Sequence, residues 1–76
     1  MGPNYISLSD ARTELAQMGV ELSERQMKRA ADKDAHGKRK MPFFVDPIAG
    51  QLRIEKGALT DAYRRLQVEA ENNLQK

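Results

Sequence analysis

Cysteine is absent from this chain of 76 residues, and histidine occurs once, as His36. Without thiols there is no disulfide, thiolate metal site or cysteine nucleophile, and one imidazole cannot form a multi-histidine metal site. Aromatic residues make up only 5% of the chain, which is too few for a surface on which single-stranded bases stack. No apolar run approaches the roughly 20 residues of a membrane span. The sequence therefore predicts a cytoplasmic protein with no cofactor, no metal and no membrane contact.

The residue sets that catalysis requires are also missing. The chain has no Ser–His–acid set, no glycine-rich phosphate loop and no cluster of metal ligands, and Asp32 and Asp34 would face different ways on a helix. A chain of this length forms one domain and buries roughly 60–65% of its unfolded surface, which leaves little room for a deep pocket. We therefore expect a binding protein, and neither an enzyme nor a receptor for a small-molecule substrate.

Positive charge is concentrated in one part of the chain. The formal net charge is +2, but residues 25–40 carry seven Lys and Arg against Asp32 and Asp34, a local net charge of +5. The rest of the chain therefore sums to −3. Such a polarised distribution suits a polyanion as partner.

Capping residues and apolar spacing predict three helices. Ser7 with Asp10, and Ser23 with Gln26, have the spacing of capping boxes, and each is followed by apolar residues at helical intervals. The first helix is predicted over residues 8–18, with the stripe Leu8, Ala11, Leu15 and Met18; the second over residues 24–35, with Met27, Ala30, Ala31 and Ala35. A third helix is predicted from Gly57 to about residue 72.

A hairpin is predicted between the second and third helices. Residues 43–45 and 51–54 have strand composition, and the five residues between them include Asp, Pro and Gly, which favour a turn. The order helix, turn, basic helix, hairpin, helix is that of a winged helix-turn-helix, an α+β fold that is mostly α. We expect a flexible leader at residues 1–5, the domain at residues 6–72 and a frayed tail at residues 73–76.

Several short motifs in this order resemble the MerR and excisionase-like winged-helix superfamily. They are YISLSDA at residues 5–11, GV at residues 19–20, SERQMKR at residues 23–29, Gly37, MPF at residues 41–43, QLRI at residues 51–54 and AL at residues 58–59. The resemblance covers about residues 5–66. It implies sequence-specific binding of double-stranded DNA by a bacterial or phage-encoded protein that acts in transcription regulation, excision of mobile elements by recombination, partition or packaging initiation.

The DNA contacts follow from the helix-turn-helix geometry, in which the second helix enters the major groove. Ser23 would cap this helix, Arg25 would read guanine and Gln26 adenine. The remaining candidate contacts are basic: Lys28 and Arg29 to bases and phosphates, and Lys33, Lys38, Arg39, Lys40 and Arg53 to the backbone at the helix end and the wing. A single recognition helix predicts a homodimer or a cooperative array on DNA.

The alternative is an interaction module that uses the last helix. Leu59, Leu66 and Asn73 are spaced by seven, as are Tyr63 and Ala70. Two heptads are too few to predict a coiled coil, but they suit docking on a partner, in which case the basic cluster would bind an acidic protein. A DNA-binding module of the small terminase subunit, used in phage packaging, remains a further alternative.

Overall fold

The computed structural model describes residues 2–74 and is about half helical. The elements are β1 (Tyr5–Ser7), α1 (Leu8–Gln17), α2 (Glu24–Ala31), β2 (Phe44–Val45), β3 (Leu52–Glu55) and α3 (Lys56–Leu74). The predicted α+β class, the three helices and the hairpin are confirmed. The sheet, however, has three strands where the sequence predicted two.

The added strand is β1, at the N-terminal end of the domain. The sheet is antiparallel in the order β1-β3-β2, with Ile6 opposite Ile54 and Phe44 opposite Arg53. Tyr5 was assigned to the leader but pairs with Glu55 in the sheet, so the ordered domain begins earlier than predicted. Of the predicted leader and tail, Met1 and residues 75–76 lie outside the described residues, whereas residues 73–74 are part of α3.

Both predicted N-caps are present, and they determine where α1 and α2 begin. The Ser7 hydroxyl accepts a hydrogen bond from Asp10 N at 3.0 Å, which is half of the predicted capping box, whereas Ser23 and Gln26 form a complete one. Helix α1 ends near Gly19, whose φ of 93° suits glycine and whose N–H bonds to Ala16 O. Met18 was predicted to belong to the apolar stripe, but it follows the last helical residue and is half exposed.

Helix α2 ends at Ala31, four residues earlier than predicted. Residues further along the chain bind its last carbonyls: Met41 N donates to Ala30 O at 3.2 Å, and Arg39 Nε donates to Ala31 O at 2.8 Å. Lys33 and Arg39 form an antiparallel bridge, so the chain turns back where the sequence predicted another helical turn. Ala35 is consequently exposed.

The core lies between the three helices and one face of the sheet. Its buried members come from every helix, from β3 and from the segment before β2: Ala11, Leu15, Met27, Ala31, Met41, Phe43, Ile54, Leu59 and Ala62. Phe43 is buried just before β2, whereas Phe44 and Val45 are both exposed, so the predicted strand at residues 43–45 begins one residue later and does not alternate between the core and solvent. Helix α3 is capped by the Glu55 carboxylate, which accepts from Gly57 N at 2.9 Å and Ala58 N at 3.2 Å.

Candidate nucleic-acid interface

Helix α2 has one buried face and one basic face. Met27 and Ala31 are buried in the core, whereas Arg25, Lys28 and Arg29 are exposed. At about 100° per residue, positions i, i+3 and i+4 fall on one side of a helix. The three cations therefore form one surface, the basic face of α2, which is turned away from the core.

The first turn of α2 is fixed by its own side chains. Ser23 Oγ accepts from Gln26 N at 3.1 Å, and Gln26 Oε1 accepts from Ser23 N at 2.9 Å. Both oxygens are therefore engaged within the protein. The amide oxygen of Gln26 is one of the two groups that a bidentate contact with adenine uses, so the predicted adenine contact would require the capping box to open. Ser23 therefore contributes to this surface as the N-cap that stabilises the first turn of α2.

Arg25 and Arg29 differ from Lys28 in their partners. Lys28 Nζ lies 4.0 Å from Asp32 Oδ1 in an exposed pair four residues apart, which is a weak interaction. Neither arginine forms an ion pair within residues 2–74. Their guanidinium groups, which have the fork geometry for guanine or phosphate, are the most available on this face.

The hairpin loop (residues 46–51) is held by Asp46. One carboxylate oxygen accepts from Ile48 N at 2.8 Å and Ala49 N at 3.2 Å, and the other accepts from Arg53 Nε at 2.7 Å. The hydrogen bond from Arg53 has the largest effect on the pKa of Asp46, and together with the two backbone hydrogen bonds it lowers this pKa from 3.8 to about 2. Arg53 is the predicted phosphate contact of the wing, and in the structure its Nε joins β3 to Asp46 at the start of the hairpin loop.

A groove of about 540 Å³ separates α2 from the hairpin loop. Its walls come from the end of β1, the first half of α1, the first two turns of α2, the end of the hairpin loop and the start of β3: Ser7, Leu8, Ser9, Arg12, Glu24, Met27, Lys28, Gly50, Gln51 and Leu52. The polar lining comprises two cations, two serine hydroxyls and one acid, beside the apolar Leu8, Met27 and Leu52, and Arg12 Nη1 lies 3.9 Å from Glu24 Oε1. Groups of this kind suit a sugar–phosphate strand.

The basic residues after α2 that were predicted to contact DNA do not belong to the basic face of α2. Arg39 and Lys40 line a hollow beside α3 together with Arg65 and Glu69, and Arg39 Nε is occupied by Ala31 O. Lys33 and Lys38 are exposed on the turn between α2 and β2, which Asp34 stabilises by accepting from Lys38 N at 3.0 Å. The seven basic residues at positions 25–40 therefore divide between the basic face of α2, the turn and the hollow beside α3.

Three residues at these surfaces were not among the sequence candidates. Arg12 donates from Nε to Leu22 O at 2.6 Å and so fixes the turn between α1 and α2, and Gln51 lines the groove. Arg65 joins Arg39 and Lys40. Arg12 follows the core position Ala11, and Arg65 precedes the half-buried Leu66. This place beside a core residue was the only feature of the local sequence that could have identified either arginine.

In residues 2–74 no three His, Asp or Glu side chains are grouped closely enough to hold a metal ion. Over the same residues, none of the helices has both the length and the apolar character to cross a membrane. Comparisons with family models, with curated proteins and with solved structures found no match to this chain.

Proposed function

We propose that this chain is a winged helix-turn-helix that binds double-stranded DNA in a sequence-specific manner. Helix α2 enters the major groove, and the β2–β3 hairpin is the wing. The observation that carries the proposal is the basic face of α2, with Arg25 and Arg29 free of ion pairs within the described part of the chain, next to a groove bordered by the hairpin loop. A helix with exposed cations on the side opposite its buried face is suited to insertion between two phosphate strands.

The contacts divide by role. Arg25, in the first turn of α2, reads a guanine, and Arg29 and Lys28 contact bases or the flanking phosphates. Lys33, Lys38 and Lys40 add phosphate contacts near the end of α2. Because one helix of eight residues reads few base pairs, the chain acts as a homodimer or a cooperative array on DNA. This suits a small regulatory, excision or partition-type factor, or a packaging module.

Selection of bound duplexes from a random DNA pool would identify the preferred site, and Arg25→Ala then tests the helix. We expect this variant to bind the preferred site about 5- to 150-fold more weakly, because a good bidentate arginine–guanine pair contributes about 1–3 kcal/mol. Binding to random DNA should change much less. Arg64→Ala is the matched control, since Arg64 is exposed on α3 and loses the same charge. Equal losses on both DNAs for Arg25→Ala would contradict the assignment of α2 as the recognition helix.

A second candidate function rests on the far end of α3. From Gln67 to Asn73 every side chain is exposed, and Val68 is half exposed, so about two turns of the helix bury no side chain in the core. Such a projecting helix could bind another protein or a second copy of the chain. Gel filtration over a range of concentrations, with Val68→Glu as the variant, would report this association without DNA.

A further inference from the structure

The tip of the hairpin loop carries an apolar side chain in full contact with solvent. Ile48 is 95% exposed, the highest value among the large hydrophobic residues described, and it stands between Pro47 and Ala49. A single exposed isoleucine is common on protein surfaces and needs no explanation by itself. Two further features distinguish Ile48: the rigidity of the loop that presents it and the position of that loop.

The loop holds the backbone of Ile48 in place through a set of short contacts. Asp46 Oδ1 accepts from Ile48 N at 2.8 Å, and Asp46 Oδ2 accepts from Arg53 Nε at 2.7 Å. The loop is closed by Asp46 N to Gln51 O at 2.7 Å and Gly50 N to Asp46 O at 2.8 Å. Because Pro47 also fixes its own φ, the tip is ordered before any partner arrives, and little entropy is lost when it binds.

The position of the loop follows from the groove beside α2. Gly50 and Gln51 of the hairpin loop line that groove together with Glu24 and Lys28 of α2. In duplex DNA one sugar–phosphate strand separates the major groove from the adjacent minor groove. With α2 in the major groove, as proposed above, that strand lies in the protein groove and the hairpin loop faces the minor groove.

We propose that Ile48 is a wedge that enters the minor groove, partly unstacks one base step and bends the duplex. The inference rests on the proposed function. Residues 46–51 contain no lysine or arginine, so the tip has no charge with which to bind phosphate, whereas isoleucine is among the residues that proteins insert between base steps. Pyrimidine–purine steps, TA and CA, unstack most easily and are the expected place of insertion.

The test measures bending and affinity separately, on the duplex obtained by selection and labelled at both ends for energy transfer. We expect the wild-type chain to bend this duplex by about 20–90°, the range of known wedges, and Ile48→Ala to leave it nearly straight while binding several-fold more weakly. Val45→Ala is the matched control, because Val45 is a half-exposed apolar residue of the same hairpin. Thermal unfolding should be the same for Ile48→Ala as for wild type, since the side chain has no packing to lose.

The outcomes separate the wedge from DNA binding. Bending that Ile48→Ala abolishes and Val45→Ala preserves supports the wedge. Binding without bending, or bending that is equal in wild type and Ile48→Ala, overturns the wedge and leaves the proposed function intact. Absence of binding to every duplex at about 50 mM salt, where electrostatic attraction is strong, overturns both.

Discussion

The capping box of α2 allows the most informative single substitution, Ser23→Ala. It removes the hydroxyl that accepts from Gln26 N at 3.1 Å, and water replaces this contact because the site is exposed. Loss of such a cap costs about 1 kcal/mol, within a range of about 0.5–2 kcal/mol. For a domain of this size that corresponds to a decrease in Tm of about 4–8 °C per kcal/mol. An eight-residue helix is too short to be stable alone, so the first turn depends on this cap.

Circular dichroism during thermal unfolding measures the effect, with Ser9→Ala as control. Ser9 is exposed in the first turn of α1, and its hydroxyl forms no hydrogen bond within residues 2–74. We expect Ser9→Ala to change the free energy of unfolding by less than about 0.5 kcal/mol. A Tm for Ser23→Ala equal to that of wild type would mean that the capping box contributes nothing to the stability of the folded state.

Ser23→Asp separates the structural role from the DNA contact. Aspartate is as good an N-cap as serine, so the free energy of unfolding should be retained. Its negative charge would stand at the end of α2 that faces the phosphate strand in the proposed complex, and we expect a several-fold loss of DNA affinity that salt diminishes. Undiminished affinity would mean that this end of α2 is far from the DNA backbone.

Three further outcomes are expected. Ile54→Ala, at a fully buried site in the central strand, should cost about 2–5 kcal/mol in chemical denaturation. The pKa of Asp46 is lowered from 3.8 to about 2, so the contribution of its carboxylate to the free energy of unfolding is complete above about pH 4 and is lost as the pH falls towards 2. Asp46→Asn should therefore reduce the loss of stability that is measured between about pH 4 and about pH 2. The logarithm of the affinity should fall with the logarithm of the salt concentration at a slope of about −4.5, for phosphate contacts by Lys28, Arg29, Lys33, Lys38 and Lys40 at about 0.9 each. A slope near zero would exclude these contacts.

The parts of the fold that depend on near neighbours could be predicted from the sequence. Ser7 and Ser23 mark the starts of α1 and α2 because an N-cap involves residues three positions apart. The hairpin was predictable for the same reason, since residues that favour a turn lie between two short apolar runs. These signals sufficed for the α+β class and for the order of the helices.

The parts that were wrong or missed depend on distant residues. Helix α2 ends early because Arg39 and Met41 bind its last carbonyls, and nothing within α2 indicates this. Strand β1 has only three residues, and its partner β3 lies nearly fifty positions along the chain. In the candidate site, the cations of α2 and the capping-box role of Gln26 were predictable from local spacing, whereas the bond from Arg53 to Asp46 crosses the hairpin and appears only when the side chains are placed.

In the proposed complex, α2 and the hairpin loop bind one duplex together. The most direct test of this arrangement is an NMR titration of the isotope-labelled chain with the selected duplex, following each backbone amide. We expect the largest shift changes at Arg25, Lys28 and Arg29, and at Ile48 in the hairpin loop, with little change from Gln67 to Asn73. Changes confined to the hollow of Arg39, Lys40 and Arg65 or to the end of α3, or no changes at all, would contradict this arrangement.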